Sequence, residues 1–216
     1  NVGNMPVITS IEKKFGEASA YMDGFGGHIH IHDNPDTDFG TEDFTIDFWV
    51  RFDDVTRDYD GLLINRSHEW IDTYSSAFML YRSTSGGTQT LTWSFTNNEG
   101  STTTSGSAAG TYAFQNDTWY HIAIVKTELG QYLRLYLDGV LLGEYAEGDT
   151  NANRHYTGRY NTGGLIFGAT RSSPTSSGDL SRFLKGYIDE IRVSKGENNY
   201  PDGDFAVEAD EWCVGV

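Results

Sequence analysis

Apolar and polar residues alternate along most of this chain. In FTIDFWVRF, Phe44, Ile46, Phe48, Val50 and Phe52 alternate with Thr45, Asp47, Trp49 and Arg51, the two-residue period of a strand with one face in a core. LRLYLDGVLLGEY sets Asp138 and Gly139 between apolar runs, and Asp-Gly supplies the positive φ angles of a two-residue hairpin. Leu133, Leu135 and Leu137 then face the core. Strand character recurs in SAYMDG, GLLINR, AFMLYR, TLTWSF, WYHIAIVK, GLIFGA and FLKGYIDEIRV, separated by Gly, Ser, Thr, Asn and Asp. Trp93 and Trp119 fall inside apolar strands and are expected in the core. Three stretches read as long polar loops: 97–110, 144–164 and 170–181. No segment sustains a helical period with caps. The fold class is therefore all-β, a two-sheet antiparallel sandwich of about a dozen strands in a single domain.

GGHIHIHD shows what the period does to chemistry. His28, His30 and His32 stand at alternate positions, and a strand rises about 3.3 Å per residue, so the outer two lie about 13 Å apart and cannot share one metal. Ile29 and Ile31 take the core face and the histidines the other. An interface role near acidic pH stays open for them.

Charge changes the picture further. With 31 Asp and Glu against 15 Lys and Arg in 216 residues, no basic stripe exists to neutralise phosphates, which excludes nucleic acid as a partner. The lone Cys213 excludes an internal disulfide and cysteine-ligated metal. No apolar run approaches the roughly 18 residues of a membrane span, so no membrane insertion is expected. Acidic excess suits calcium, which takes oxygen ligands.

The order YMDGFGGHIHI, DFTIDFWVRF, DTWYHIAIVKTELGQYLRLYLDGVLLGEY, GLIFGA and FLKGYIDEIRVSKG resembles the concanavalin A-like, laminin-G-type jelly-roll family. The resemblance covers 18–196, leaving 1–17 as an N-terminal arm and 197–216 as a C-terminal extension or edge segment. In that last segment Phe205, Val207 and Trp212 suggest an added strand or a contact arm. The ending IRVSKG with Tyr200 soon after is similar to modules of tailed-phage virion proteins and secreted microbial proteins, which implies a virion-surface or extracellular location. The family also implies a structural calcium, Ca2+, near the first and last strands. The matching positions are Asp23 in YMDG and Asp189 in GYIDE, where broken alternation suggests a bulge. The alternative is that Asp23 opens a turn and Asp189 pairs with Arg192 or with backbone.

Catalysis finds no support in the motifs. The fold's glycosidases carry E-x-D-x-E on one strand, whereas Asp189 and Glu190 are adjacent and face opposite ways. Neither the R-x-E-x-R nor the Q-I-H strands of alginate lyases occur, and no G-x-S-x-G elbow exists. The chain reads as no enzyme. Sugar recognition needs an aromatic platform with polar partners, and the loop and strand-end candidates are Tyr59, Trp70, Tyr74, Tyr156 and Tyr160, with Asn65, Asn97, Arg154 and Asn161. Trp70, flanked by charges in SHEWIDTY, leads them. Two functions stay open: a noncatalytic carbohydrate-binding or attachment module, lectin-like, whose partner is a glycan or cell-surface polysaccharide; or a structural decoration module contacting other virion or surface proteins, with an oligomer compatible with either.

Overall fold

The computed structural model describes residues 5–37, 39, 42–65, 77–99, 102–127, 132–146, 164–172, 179–200 and 202–207, with the side chains of 77, 96–99 and 102–105 excepted. Fifteen strands run through them: β1 Val7–Thr9, β2 Ser19–Asp23, β3 Ile29–Ile31, β4 Phe44–Phe52, β5 Tyr59–Asn65, β6 Ala77–Ser85, β7 Thr88–Glu99, β8 Thr102–Thr111, β9 Trp119–Thr127, β10 Tyr132–Leu137, β11 Val140–Ala146, β12 Leu165–Phe167, β13 Ala169–Thr170, β14 Arg182–Phe183 and β15 Lys185–Lys195. One sheet has the order β1-β2-β15-β4-β9-β10-β11 and the facing sheet β3-β12-β5-β6-β7-β8, with β13 and β14 a short separate ribbon. Every pairing is antiparallel, as the alternation requires of sheets with one wet face.

The core is the set of inward positions named by the two-residue period. Phe44, Ile46, Phe48, Val50 and Phe52 from β4 meet Leu63, Phe78, Leu80, Leu91, Trp93 and Phe95 from the opposite sheet, and rings of Phe44, Phe78 and Trp93 lie against one another. Leu133, Leu135 and Leu137 join them. Asp138 and Gly139 have φ of 48° and 78°, both positive as the hairpin needs. Ile29 and Ile31 pack on the core, while the rings of His30 and His32 sit 4.3 Å apart on the other side.

Two expectations are corrected. Residues 97–110 are not a loop: β7 continues to Glu99 and β8 begins at Thr102, pairing through Asn98↔Thr103 to Thr90↔Thr111. Its inward positions are Gly106, Ala108 and Gly110, too small to register as apolar. They are small because β11 closes over them: a Cβ on Gly106 would come within 2.7 Å of Phe95 and Tyr145, and one on Gly110 would overlap Leu142. Trp119 is not in the core either. It has the parity of Trp49 and His121, and lies on the outer face of the seven-stranded sheet against Tyr187.

The described residues of the N-terminal arm and of the C-terminal segment pack on that same outer face. Phe205 N–H donates to the Gly139 carbonyl, Leu141 N–H to Asp204, and Arg134 pairs with Asp202, so the described residues of this segment, 198–200 and 202–207, act as a contact arm and add no strand, while Trp212 lies outside the described residues. Tyr200 and Phe205 stack at 3.9 Å over Tyr136 and His121.

Candidate functional site

On the outer face of the six-stranded sheet, Tyr59, Tyr81 and Arg182 come together. Tyr59 pairs with Ser83, and Gly61 with Tyr81, so all four point outward while Asp60 and Arg82 between them point in. Inward, Asp60 accepts from the Arg82 guanidinium through Nε at 3.0 Å and through Nη2, and also from Lys185 N–H at 3.3 Å. Both side chains are fully buried. Burial pushes the Asp60 carboxyl up from its ordinary value, and the Arg82 charge opposes that rise. Arg82 further donates to the Val55 and Arg57 carbonyls and to Thr84. This network ties the β5–β6 pair to the loop before it and so fixes the base of the aromatic cluster.

The third member is placed by a missing side chain. The β13–β14 ribbon lies directly on β5, and a Cβ on Gly61 would overlap the Arg182 carbonyl and the Thr170 amide nitrogen. With glycine there, the ribbon sets the Arg182 guanidinium 3.8 Å over the Tyr59 ring and 5.1 Å from that of Tyr81. Below it Ile64, Met79, Ile166 and Ala169 are covered by Leu180 and Phe183. Tyr59 remains 42% exposed, and Arg182 makes no ion pair among the described residues. Beyond the rings the face turns to hydroxyls, with rows Tyr59–Ser83–Thr90–Thr111 and Tyr81–Thr92–Ala109 across four and three strands. An aromatic ring, a planar cation with open donors and a field of hydroxyls can together meet both the apolar face and the hydroxyls of a sugar.

Of the sequence candidates, only Tyr59 enters this cluster. Asn65 is completely buried and faces inward in register with Leu165 and Phe78. Neither side-chain polar atom has a hydrogen-bond partner among the described residues, and the side chain faces away from the outer face. Asn97 lies in β7, its side chain outside the described residues, as are Trp70, Tyr74, Arg154, Tyr156, Tyr160 and Asn161 altogether. Tyr81 and Arg182 were not anticipated. The legible signal was the parity of Tyr81 with Met79 in AFMLYR, while the approach of Arg182 across more than a hundred residues left no local trace.

Asp23 and Asp189 are set apart on neighbouring strands. In the β2–β15 register Asp23 stands opposite Lys185, four residues from Asp189, or about 13 Å along the strand. Asp189 does sit at a bulge, with Glu190 at φ 48°, but its carboxylate accepts from the amides of Lys14 (2.8 Å), Phe15 (3.2 Å) and Glu190 (3.0 Å). It therefore fastens the N-terminal arm. Asp23 accepts from Phe25 N–H at 2.9 Å, closing its own turn. Among the described residues, no three His, Cys, Asp or Glu group closely enough for a metal.

A second polar cluster was also unforeseen. Asp47 bonds Arg192 Nε at 3.1 Å, lies 3.6 Å from His121 Nε2, and Arg192 reaches the Tyr200 hydroxyl at 2.7 Å. Burial pushes the Tyr200 phenol upward. Since Asp47 and His121 are buried under the C-terminal arm, this cluster locks the arm and presents no open surface.

Residues 23–199 match the family model described as the concanavalin A-like lectin/glucanases superfamily. The chain belongs to that superfamily. Among curated proteins none matches. Solved structures with the same fold include the tailspike protein 2 enzymatically active domain of bacteriophage CBA120, 14% identical over 91% of this chain and 28% of that one, TM-score 0.63. The CBM40 of the Ruminococcus gnavus IT-sialidase, bound to α2,3-sialyllactose, is 13% identical over 89% of this chain and 90% of its own, TM-score 0.55. Domains LG4-5 of mouse laminin α1 are 15% identical over 82% of this chain and 40% of theirs, TM-score 0.52. The chain thus spans under half of the laminin and tailspike structures. At these identities the likeness establishes the fold, which in this superfamily carries both lectins and glucanases. No helix among the described residues is long and apolar enough to cross a membrane.

Proposed function

We propose that this superfamily member is a noncatalytic carbohydrate-binding module, attaching a virion or other extracellular protein to a glycan through Tyr59, Tyr81 and Arg182. The observation that carries the reading is the guanidinium of Arg182, stacked 3.8 Å over an exposed tyrosine with no carboxylate among the described residues claiming it. Its in-plane donors remain available to vicinal hydroxyls or a sugar carboxylate. A glycan screen tests this: Arg182→Ala and Tyr59→Ala should each abolish retention on any acidic glycan that the unmodified chain binds, with melting unchanged. Retention unaffected by both substitutions would reject the site.

A protein-contact role is favoured by a different observation. Met5, Val7, Ile8 and Ile11 along the β1 edge, with Phe25 beside it, are all more than half exposed, an apolar surface of the kind that marks protein contacts. Mass measurement across a range of concentrations, with Ile8→Asp as the disrupting variant, separates this reading from the first.

A further inference from the structure

Three cross-strand rows on the outer face of the seven-stranded sheet run through Asp47, Trp49 and Arg51 of β4. Asp189, Trp49 and His121 form the middle row, and the N-terminal arm covers it: Phe15 packs edge-on against Trp49 at 5.8 Å and Lys14 Nζ lies 4.0 Å over that ring. Arg192, Asp47, Ala123 and Tyr136 form the second, covered by Tyr200 and Phe205. The third is Val7–Tyr21–Tyr187–Arg51–Trp119, in register across five strands. Glu12 of the N-terminal arm reaches its Arg51, but among the described residues no aromatic ring from either arm stacks on it, and Tyr21, Tyr187 and Trp119 are half-buried. Its rings make a continuous facetted strip, Tyr21 to Tyr187 at 4.8 Å and Tyr187 to Trp119 at 6.3 Å.

We propose that the row Tyr21–Tyr187–Arg51–Trp119 is a second carbohydrate surface, on the opposite side of the sandwich from Tyr59, that takes uncharged polysaccharide chains. The molecule itself shows what such a row accepts, because it covers the other two with flat rings. The polar groups decide the chemistry of the occupant. Arg51 lies 5.1 Å over Tyr187 and is already paired with Asp117 at 2.7 Å, Asp53 at 2.9 Å and Glu12 at 3.8 Å. Three carboxylates against one guanidinium, in a chain of net charge −16, repel an anionic glycan. A flat protein surface would have to strip water from the exposed Asp117 and the partly exposed Glu12 together, whereas sugar hydroxyls can donate to these carboxylates one by one while the pyranose face lies on the rings. Burial and the nearby Asp53 carboxylate push the Tyr21 and Tyr187 phenols up, so both stay protonated donors at any physiological pH.

Native gels cast with mixed-linkage β-glucan, xyloglucan or galactomannan, and in parallel with polygalacturonate or hyaluronan, test the proposal on the full chain. Expected is retardation by at least one uncharged polymer and by neither acidic polymer through this face. Trp119→Ala with Tyr187→Ala should weaken that retardation by about tenfold or more, as loss of an aromatic anchor does. Asp117→Asn, which keeps the left-handed backbone at that position (φ 61°), should weaken it by a smaller factor and serves if the double variant does not fold. Arg182→Ala should leave it intact, which separates failure of this row from failure of the Tyr59 site. Three results overturn the proposal: no retardation by any uncharged polymer, retardation indifferent to these row substitutions, or a concentration-dependent rise in mass that the same substitutions abolish, which would make the row a protein contact.

Discussion

Arg182 and Arg51 each lay a guanidinium over tyrosine rings, on opposite faces of one sandwich, and they are not equivalent. Arg51 is surrounded by Glu12, Asp53 and Asp117, and its charge is spent within the fold. Arg182 stacks more closely, 3.8 Å against 5.1 Å, and meets no carboxylate among the described residues. The stacking contact positions a cation, but the neighbouring acids determine whether its donors are open to a ligand. In a chain so acidic, an uncommitted arginine is the exception. If both proposed sites bind sugars, that contrast would direct acceptor-rich or acidic sugars to the six-stranded face and uncharged chains to the seven-stranded face.

The contrast breaks most severely from below. Asp60→Ala removes the only described carboxylate beneath the Tyr59 cluster that pairs with the fully buried Arg82, and uncompensated buried charge costs about 3–5 kcal/mol. Urea unfolding should show that loss, and binding at the Tyr59 face should go with it. Arg51→Ala should cost less, since its partners Asp117, Glu12 and Asp53 are 68%, 41% and 22% exposed, whereas Asp60 is fully buried, and their charges are partly screened by water. Comparable midpoints for the two variants would mean that the buried pair does not anchor β5 to β6.

Gly61→Ala acts one level up. The new methyl group must push the β13–β14 ribbon off β5, at about 1–3 kcal/mol for overpacking, and carries Arg182 away from Tyr59. Calorimetric titration with a glycan identified in the screen should show weakened binding beside a moderate drop in melting temperature, while the Trp119 row keeps its ligands. Arg182→Lys sharpens the same point at lower cost. It keeps the charge and loses the planar fork, so binding should fall by about tenfold with stability changed by less than about 1 kcal/mol. Full affinity in the lysine variant would show that charge alone matters there.

How far these sites could be read from sequence follows from which interactions are local. The strand in FTIDFWVRF and the Asp-Gly hairpin at 138–139 depend on neighbours in sequence, and both appear in the structure, although the outward Thr45, Asp47 and Trp49 are buried too because the chain's arms cover that face. The same period misplaced β8, because Gly106, Ala108 and Gly110 meet β11 and inward positions that must be small carry no hydrophobic signature. Trp119 was misassigned for a related reason: strand composition suggested core, whereas its parity with His121 put it outside. Of the site residues, Tyr59 was legible as an aromatic at a strand end. Arg182 was not, since its place depends on a ribbon resting on a glycine more than a hundred residues earlier.

The smallest effect expected concerns calcium. Asp189 resembles a ligand by its bulge, yet three backbone amides already occupy its oxygens, and binding a cation there would release the Lys14–Phe15 turn that covers Trp49. Asp23 is likewise engaged with Phe25. Calcium or chelator should therefore move the melting temperature by no more than corresponds to about 0.5 kcal/mol, since stabilisation by a ligand follows its occupancy of the folded state. Asp189→Asn makes the measurement specific. It preserves an acceptor for the arm but removes the charge a calcium ion would need, so the variant and the parent should respond to calcium identically. A shift present in the parent and lost in the variant would place calcium at Asp189, and the arm would then have to be held over Trp49 by other bonds.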